Sequence, residues 1–170
     1  MMKIRTRFAP SPTGFLHIGG LRTALYNYIY AKKNQGQFIL RIEDTDQKRL
    51  VENATEDLIS ALKIFNIDFD EGPNFKEIYG PYKQSDRIDI YKHHYLKLIK
   101  EGHAYVCAVK GEELIPIADI KEGLDYLKNK NCVIKLKIPD KGIIKIFDEL
   151  RGNVQFDLSL IDDPIIIKSD

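Results

Sequence analysis

Two short strand-like runs on either side of one amphipathic helix constrain this chain more than any other feature. Residues 3–8 (Lys-Ile-Arg-Thr-Arg-Phe) read as a strand that ends at Pro10 and Pro12. A helix is predicted from about Gly20 to Asn34, with Leu21, Ala24, Leu25 and Tyr28 at the i, i+3, i+4, i+7 spacing and Gly36 closing it. Gln37 to Ile42 reads as a second strand. Thr55 to Phe65 reads as a second helix that buries Leu58, Ile59, Leu62 and Phe65. The order strand, helix, strand, helix implies a βαβ unit, hence a parallel sheet and an α/β fold.

Further along, Asn66 to Gln84 is rich in turn signals, with Gly72-Pro73 and Gly80-Pro81. Ser85 is the expected N-cap of a third helix that runs to Glu101, carries Ile88, Tyr91, Tyr95 and Leu98 on one face, and stops at Gly102. After Gly102 the pattern changes. Residues 103–109 and 131–147 read as short strands with a hairpin turn at Asp140-Lys141-Gly142, and Ile117 to Asn129 as a helix. Residues 103–155 are therefore expected to form an α+β insertion, separate from the parallel sheet.

At 170 residues the chain suits one ordinary domain or a domain with a sizeable insertion. Apolar residues make up 44% and charged residues 30%, the balance of a soluble globular protein. No apolar run approaches the roughly 18 residues that a membrane span requires. Met1-Met2-Lys3-Ile4-Arg5 leads straight into the first strand, which leaves no room for a targeting peptide and implies a cytoplasmic protein. Cys107 and Cys132 form no CxxC-type pair and read as two reduced, partly buried thiols; two cysteines do not make a four-ligand zinc site. Charge is unevenly spread. The first 42 residues hold seven basic side chains and no acidic one, and beyond them 19 basic residues face 25 acidic ones. The basic block either meets something anionic or is a solvated face.

Chemistry concentrates in the string Arg7-Phe8-Ala9-Pro10-Ser11-Pro12-Thr13-Gly14-Phe15-Leu16-His17-Ile18-Gly19-Gly20. It joins the first strand to the first helix, and in open α/β sheets ligands bind at the carboxyl ends of the strands. A helix start offers backbone N–H groups and a positive dipole end to phosphate. Gly19 and Gly20 would let a purine or phosphate lie against the backbone, and His17 could hydrogen-bond phosphate oxygens as charge shifts. A lone histidine before two glycines would more often be a capping or core residue. After the second strand, Leu40-Arg41-Ile42-Glu43-Asp44-Thr45-Asp46 places carboxylates beside the first loop, where one of them suits a substrate ammonium group. The same carboxylates, Asp46 above all, are also candidate caps for the next helix.

Both strings resemble the glutamyl type of class I aminoacyl-tRNA synthetases, whose first signature reads R-x-A-P-S-P-T-G-x-x-H-[IV]-G-[GT] and which has R-I-E-D-T-D at the second string. The general class I signature ends in histidine. Gly20 stands there instead, a replacement that glutamyl enzymes themselves make, and any role for a second signature histidine is lost. Phe69-Asp70-Glu71-Gly72-Pro73, Gly80-Pro81-Tyr82, Gln84-Ser85, Gly102-His103-Ala104-Tyr105 and Asp148-Glu149-Leu150-Arg151-Gly152 extend the likeness nearly from end to end.

The resemblance implies the first half of a Rossmann-like catalytic domain over residues 1–102, an acceptor-stem-binding α+β insertion over 103–155, and a return toward the catalytic domain over 156–170. It implies that Arg7 grips the side-chain carboxylate of glutamate, that Glu43 holds its α-ammonium group, and that Ala9 and Ser11 line the same pocket. His17, Gly19 and Gly20 would bind ATP, His17 acting in catalysis, and Arg49 would reach tRNA or nucleotide. Arg5 is expected to be an ordinary surface strand arginine. Implied partners are L-glutamate, ATP with Mg²⁺ and tRNA(Glu), and a monomer is expected. Zinc-bearing relatives carry a cysteine cluster between Val106 and Asn131; only Cys107 stands there, so no zinc is expected. The second half of the catalytic domain, its KMSKS loop and the anticodon-binding domain have no counterpart in these residues, so the chain reads as an N-terminal fragment. Two alternatives stay open: a catalytically silent piece that binds tRNA or protein, and a glutamyl-Q tRNA synthetase-like enzyme that modifies a tRNA base.

Overall fold

The computed structural model describes residues 4–75, 78–129, 131–148 and 151–168. The chain divides between Ile90 and Tyr91 into two compact units. In the first, strand β1 (Arg5–Phe8) pairs in parallel with β2 (Gln37–Leu40), and helix α1 (Ile18–Lys33) makes the crossover between them. This is the expected βαβ unit. The register sets Arg5 opposite Gln37 and Phe8 opposite Leu40.

On its other side β2 is lined by later chain. Leu40 N donates to the Glu71 carbonyl at 2.9 Å, Ile42 N to the Tyr82 carbonyl at 2.9 Å, and Gln84 N to the Ile42 carbonyl at 2.8 Å. Parallel bridges join Ile39 to Glu71 and Ile42 to Lys83. The strand at the centre therefore has its backbone groups satisfied from both sides, as buried backbone requires. Phe38, Leu40 and Ile42 are fully buried against Ala24 and Ala31 of α1 and Leu58 and Leu62 of α2 (Ala54–Ile64). Tyr28 meets Phe38 edge to face with ring centroids 5.8 Å apart.

The second unit holds a four-stranded antiparallel sheet in the order β4 (Glu113–Pro116), β3 (Ala104–Lys110), β5 (Cys132–Leu136), β8 (Ile165–Ile167). Ala104, Val106, Cys132 and Ile134 build its core with Ile99 of α3 (Ile88–Lys100), and Leu124 of α4 (Ile120–Tyr126) packs beside them. A separate hairpin pairs β6 (Ile143–Asp148) with β7 (Gly152–Asp157). Among the described residues no helix is long and apolar enough to cross a membrane.

Several local expectations are corrected. Phe65 lies one residue past α2 and is 57% exposed, because the helix buries only its Ala54, Leu58 and Leu62 stripe. Ile88 opens α3 but is also exposed. Ser85 does not cap that helix. It sits in a 3₁₀ turn (Gln84–Arg87), and its backbone N–H and hydroxyl are taken by Asp44. Asp140-Lys141-Gly142 joins no hairpin: β5 pairs with β3 and β8, and β6 with β7, so this segment connects two different sheets. The hairpin lies at the Asp148 string instead, where Arg151 N donates to Asp148 Oδ1 at 2.8 Å; Glu149 and Leu150 of that string fall outside the described residues, as does Lys3 of the first strand. Ile165–Ile167 adds β8 to the antiparallel sheet.

Candidate active site

The site grows out of the carboxyl ends of β1 and β2. Beyond the strands the pairing continues: Arg41 N donates to the Phe8 carbonyl at 3.0 Å, Glu43 N to the Pro10 carbonyl at 2.9 Å, and Val51 N to the Pro12 carbonyl at 3.1 Å. Residues 8–10 are thus held alongside 41–43, and Pro12 beside Val51. Side chains alternate along such a segment. Phe8 and Pro12 face the interior, while Arg7 and Ser11 are exposed and Ala9 is half-buried. Alternation carried forward from the Arg7–Ile39 register puts Arg7, Ala9, Ser11, Arg41 and Glu43 on one face. Both strings singled out in the sequence meet there.

The charges on this face are unequally engaged. Arg41 and Glu43 form a loose ion pair at 3.7 Å. Among the described residues Arg7 makes no side-chain hydrogen bond or ion pair, so its guanidinium fork is open to a ligand. Arg5, two residues earlier on the same face, is fully committed. Its Nη1 and Nη2 donate to the two carboxylate oxygens of Glu71 at 2.5 and 2.9 Å, and the Tyr82 hydroxyl donates to Glu71 as well. Tyr79 covers the guanidinium with its ring centroid 4.6 Å away. Burial pushes the Glu71 carboxyl up, but the bonds from Arg5 and Tyr82 outweigh it and hold the group below the usual carboxylate range. Arg5, expected to be a surface arginine, is instead the partner of a fully buried carboxylate. Sequence reasoning missed this network, although Glu71 and Tyr82 lie in two of the strings that carry the family likeness.

Asp44, next to Glu43, is buried too. It accepts from Ser85 N at 2.8 Å and Ser85 Oγ at 2.7 Å, with Lys83 Nζ 3.7 Å away. That contact ties the second string to the Gln84-Ser85 string. Asp46 was the expected cap of the following helix. Its carboxylate takes the Arg49 Nε at 2.5 Å, and α2 begins only at Ala54, after Asn53 in a left-handed conformation. Arg49 remains 71% exposed despite that pair.

At the start of α1, His17 is the N-cap: Gly19 N donates to its Nδ1 at 3.1 Å and Leu21 N to its carbonyl at 3.0 Å. The capping role and the functional role weighed for this histidine are therefore compatible, since only one ring nitrogen is used. Among the described residues no group of three or more His, Cys, Asp or Glu side chains gathers as a metal site. Cys107 and Cys132 are free and buried, and burial pushes both thiols up.

Residues 3–125 match the family described as tRNA synthetases class I (E and Q), catalytic domain. The chain belongs to that family. It is 46% identical to the glutamate–tRNA ligase of Chloroherpeton thalassium over 98% of its own length and 38% of the relative's. It is 46% identical to glutamate–tRNA ligase 1 of Petrotoga mobilis, over 98% and 36%. A crystal structure of a glutamate tRNA ligase from Elizabethkingia meningosepticum in complex with its amino acid superposes with a TM-score of 0.87 at 36% identity, covering 99% of this chain and 39% of that one. The chain thus spans about two fifths of the length of the class I synthetases it matches.

Proposed function

We propose that this chain carries the amino-acid and nucleotide side of a glutamate–tRNA ligase. The observation that carries the reading is the shared face at the ends of β1 and β2, where an open guanidinium (Arg7) and a carboxylate (Glu43) stand in one register. Glutamate has the complementary pattern of a side-chain carboxylate and an α-ammonium group. Arg7 takes the first through paired N–H donors, Glu43 takes the second, and Ala9 and Ser11 line the space between. The α1 start, with His17, Gly19 and Gly20, takes ATP.

In the reaction, an α-carboxylate oxygen of glutamate attacks the α-phosphorus in line, the bond to the β-phosphate oxygen breaks, and pyrophosphate leaves. A terminal ribose hydroxyl of tRNA(Glu) then attacks the acyl carbon and AMP departs. Mg²⁺ enters with ATP as part of that substrate. The chain's own part is positioning and charge stabilisation: Arg7 and Glu43 orient the nucleophile, and His17 donates a hydrogen bond to phosphate oxygen as charge builds. Arg49, largely exposed, is assigned to tRNA or nucleotide. Residues 1–102 are read as the first half of the catalytic domain, 103–155 as the acceptor-stem insertion, and 156–170 as the return toward the catalytic domain. A cytoplasmic monomer completes the reading.

The test is glutamate-dependent ATP–pyrophosphate exchange with tRNA(Glu) present and His17→Ala as control, run beside amide NMR of the folded chain. The expected result is that glutamate moves the amide signals of residues 7–11 and 41–43, while this chain, which spans about two fifths of its relatives' length, gives no exchange above the control. A folded chain in which millimolar glutamate and ATP move none of those signals overturns the assignment.

A further inference from the structure

Gly19 occupies the first turn of α1 with no positive φ, so the backbone there does not call for glycine. Alanine is the better helix former. What glycine provides is space. A Cβ built on Gly19 would lie 2.9 Å from His17 Cε1 and 3.1 Å from Nδ1, closer than van der Waals contact with the ring allows. The imidazole lies against the bare Cα of Gly19 and receives that residue's N–H on Nδ1 at 3.1 Å.

A backbone N–H can only donate, so Nδ1 must present its lone pair, and in the neutral ring the proton then sits on Nε2. We infer that Gly19 is the positioning residue for His17: it holds the ring as the Nε2–H tautomer and turns that N–H outward as the single ring donor. The catalytic meaning rests on the reading that His17 faces ATP. A ring fixed this way offers phosphate a hydrogen bond and has no free lone pair with which to act as a base. A side chain at position 19 leaves the histidine in place and takes away its orientation.

The clash is with the end of a side chain, so Gly19→Ala should fold while displacing the ring. Two matched controls exist in the same segment. Gly14→Ala adds a Cβ with nothing within 4 Å, and Gly20→Ala meets Leu16 Cδ1 at 2.8 Å with no atom of His17 among its nearest contacts. The experiment is ¹⁵N–¹H correlation of the imidazole nitrogens of the uniformly labelled chain at a pH of about 8.5, where an ordinary histidine is neutral. The His17 signals are identified by their loss in His17→Gln. The expected result is a pyridine-type Nδ1 and a pyrrole-type Nε2 for His17 in the wild type, Gly14→Ala and Gly20→Ala, and averaged nitrogens in Gly19→Ala. A wild-type His17 that carries its proton on Nδ1, or is as averaged as the exposed His93 and His94, overturns the inference. So does a Gly19→Ala spectrum that keeps the wild-type pattern. ATP titration of the same samples is read separately: a His17 that does not respond removes the nucleotide assignment while leaving the tautomer result standing.

Discussion

Strands β2 and β6 are both apolar in sequence, Gln37-Phe38-Ile39-Leu40 against Ile143-Ile144-Lys145-Ile146-Phe147, and they end in opposite environments. Phe38 and Leu40 are completely buried, whereas Ile146 is 50% and Phe147 73% exposed. β2 has β1 on one edge, residues 71 and 82–84 on the other, and helices α1 and α2 packed against its buried side chains. Among the described strands β6 has only β7. Apolar sequence makes a strand, but a core forms only where a second layer covers it, and that layer is a property of the topology.

The comparison can be broken by mutation. Phe38→Ala should destabilise the chain by about 3–5 kcal/mol, the range for emptying a buried aromatic site. Phe147→Ala should stay within about 0.5 kcal/mol, as surface changes do. Denaturant unfolding followed by circular dichroism measures both, and equal losses would sink the contrast. Glu71→Ala comes close behind Phe38→Ala, at about 3–5 kcal/mol, since it strands Arg5 and Tyr82 without their buried partner. Its pH signature is distinct. The folded carboxyl is held below its ordinary value of 4.5. Its contribution is therefore fully present above that pH and is lost as pH falls through the depressed value. Glu71→Gln should flatten that acid limb of stability.

Asp44→Ala should cost less, about 1–3 kcal/mol, by taking the buried acceptor away from the partly buried Ser85 N–H and hydroxyl. Ser85→Ala should recover part of that difference in a double-mutant cycle, and strict additivity would show that the two do not act together. The smallest effect belongs to the second unit. Tyr105 donates to Asp163 at 2.8 Å, and burial together with that carboxylate pushes its phenol up to about 12. Its contribution is complete below the unfolded value of about 10 and is lost as pH rises from there to about 12. Tyr105→Phe should remove that alkaline slope, seen by thermal unfolding across this range.

How much of this was legible beforehand follows from the range of the interactions involved. The β1–α1–β2 unit could be read because its signals are local: two prolines, a helical period and a closing glycine. The position of the glutamyl-type strings at the strand ends was legible for the same reason. Arg5 and Arg7 were not separable, because alternation gives them one face and only Glu71, 66 residues further on, distinguishes them. Ser85 looked like a helix cap because serine is a good one; Asp44, 41 residues earlier, claims it. Asp140-Lys141-Gly142 carries genuine turn residues, yet which strands a turn connects depends on pairing with β3, β7 and β8.

The double lining of β2 bears on what kinds of change this stretch can absorb over evolutionary time. Between Phe38 and Glu43 the backbone is registered on one side through Phe8 and Pro10 and on the other through Glu71 and Tyr82. Replacing a side chain disturbs one contact at a time and leaves both registers intact. Adding or deleting a single residue would shift one register against the other, and would carry Glu43 to the opposite side of the sheet from Arg7. Spelling in this segment is therefore negotiable, whereas its length is not.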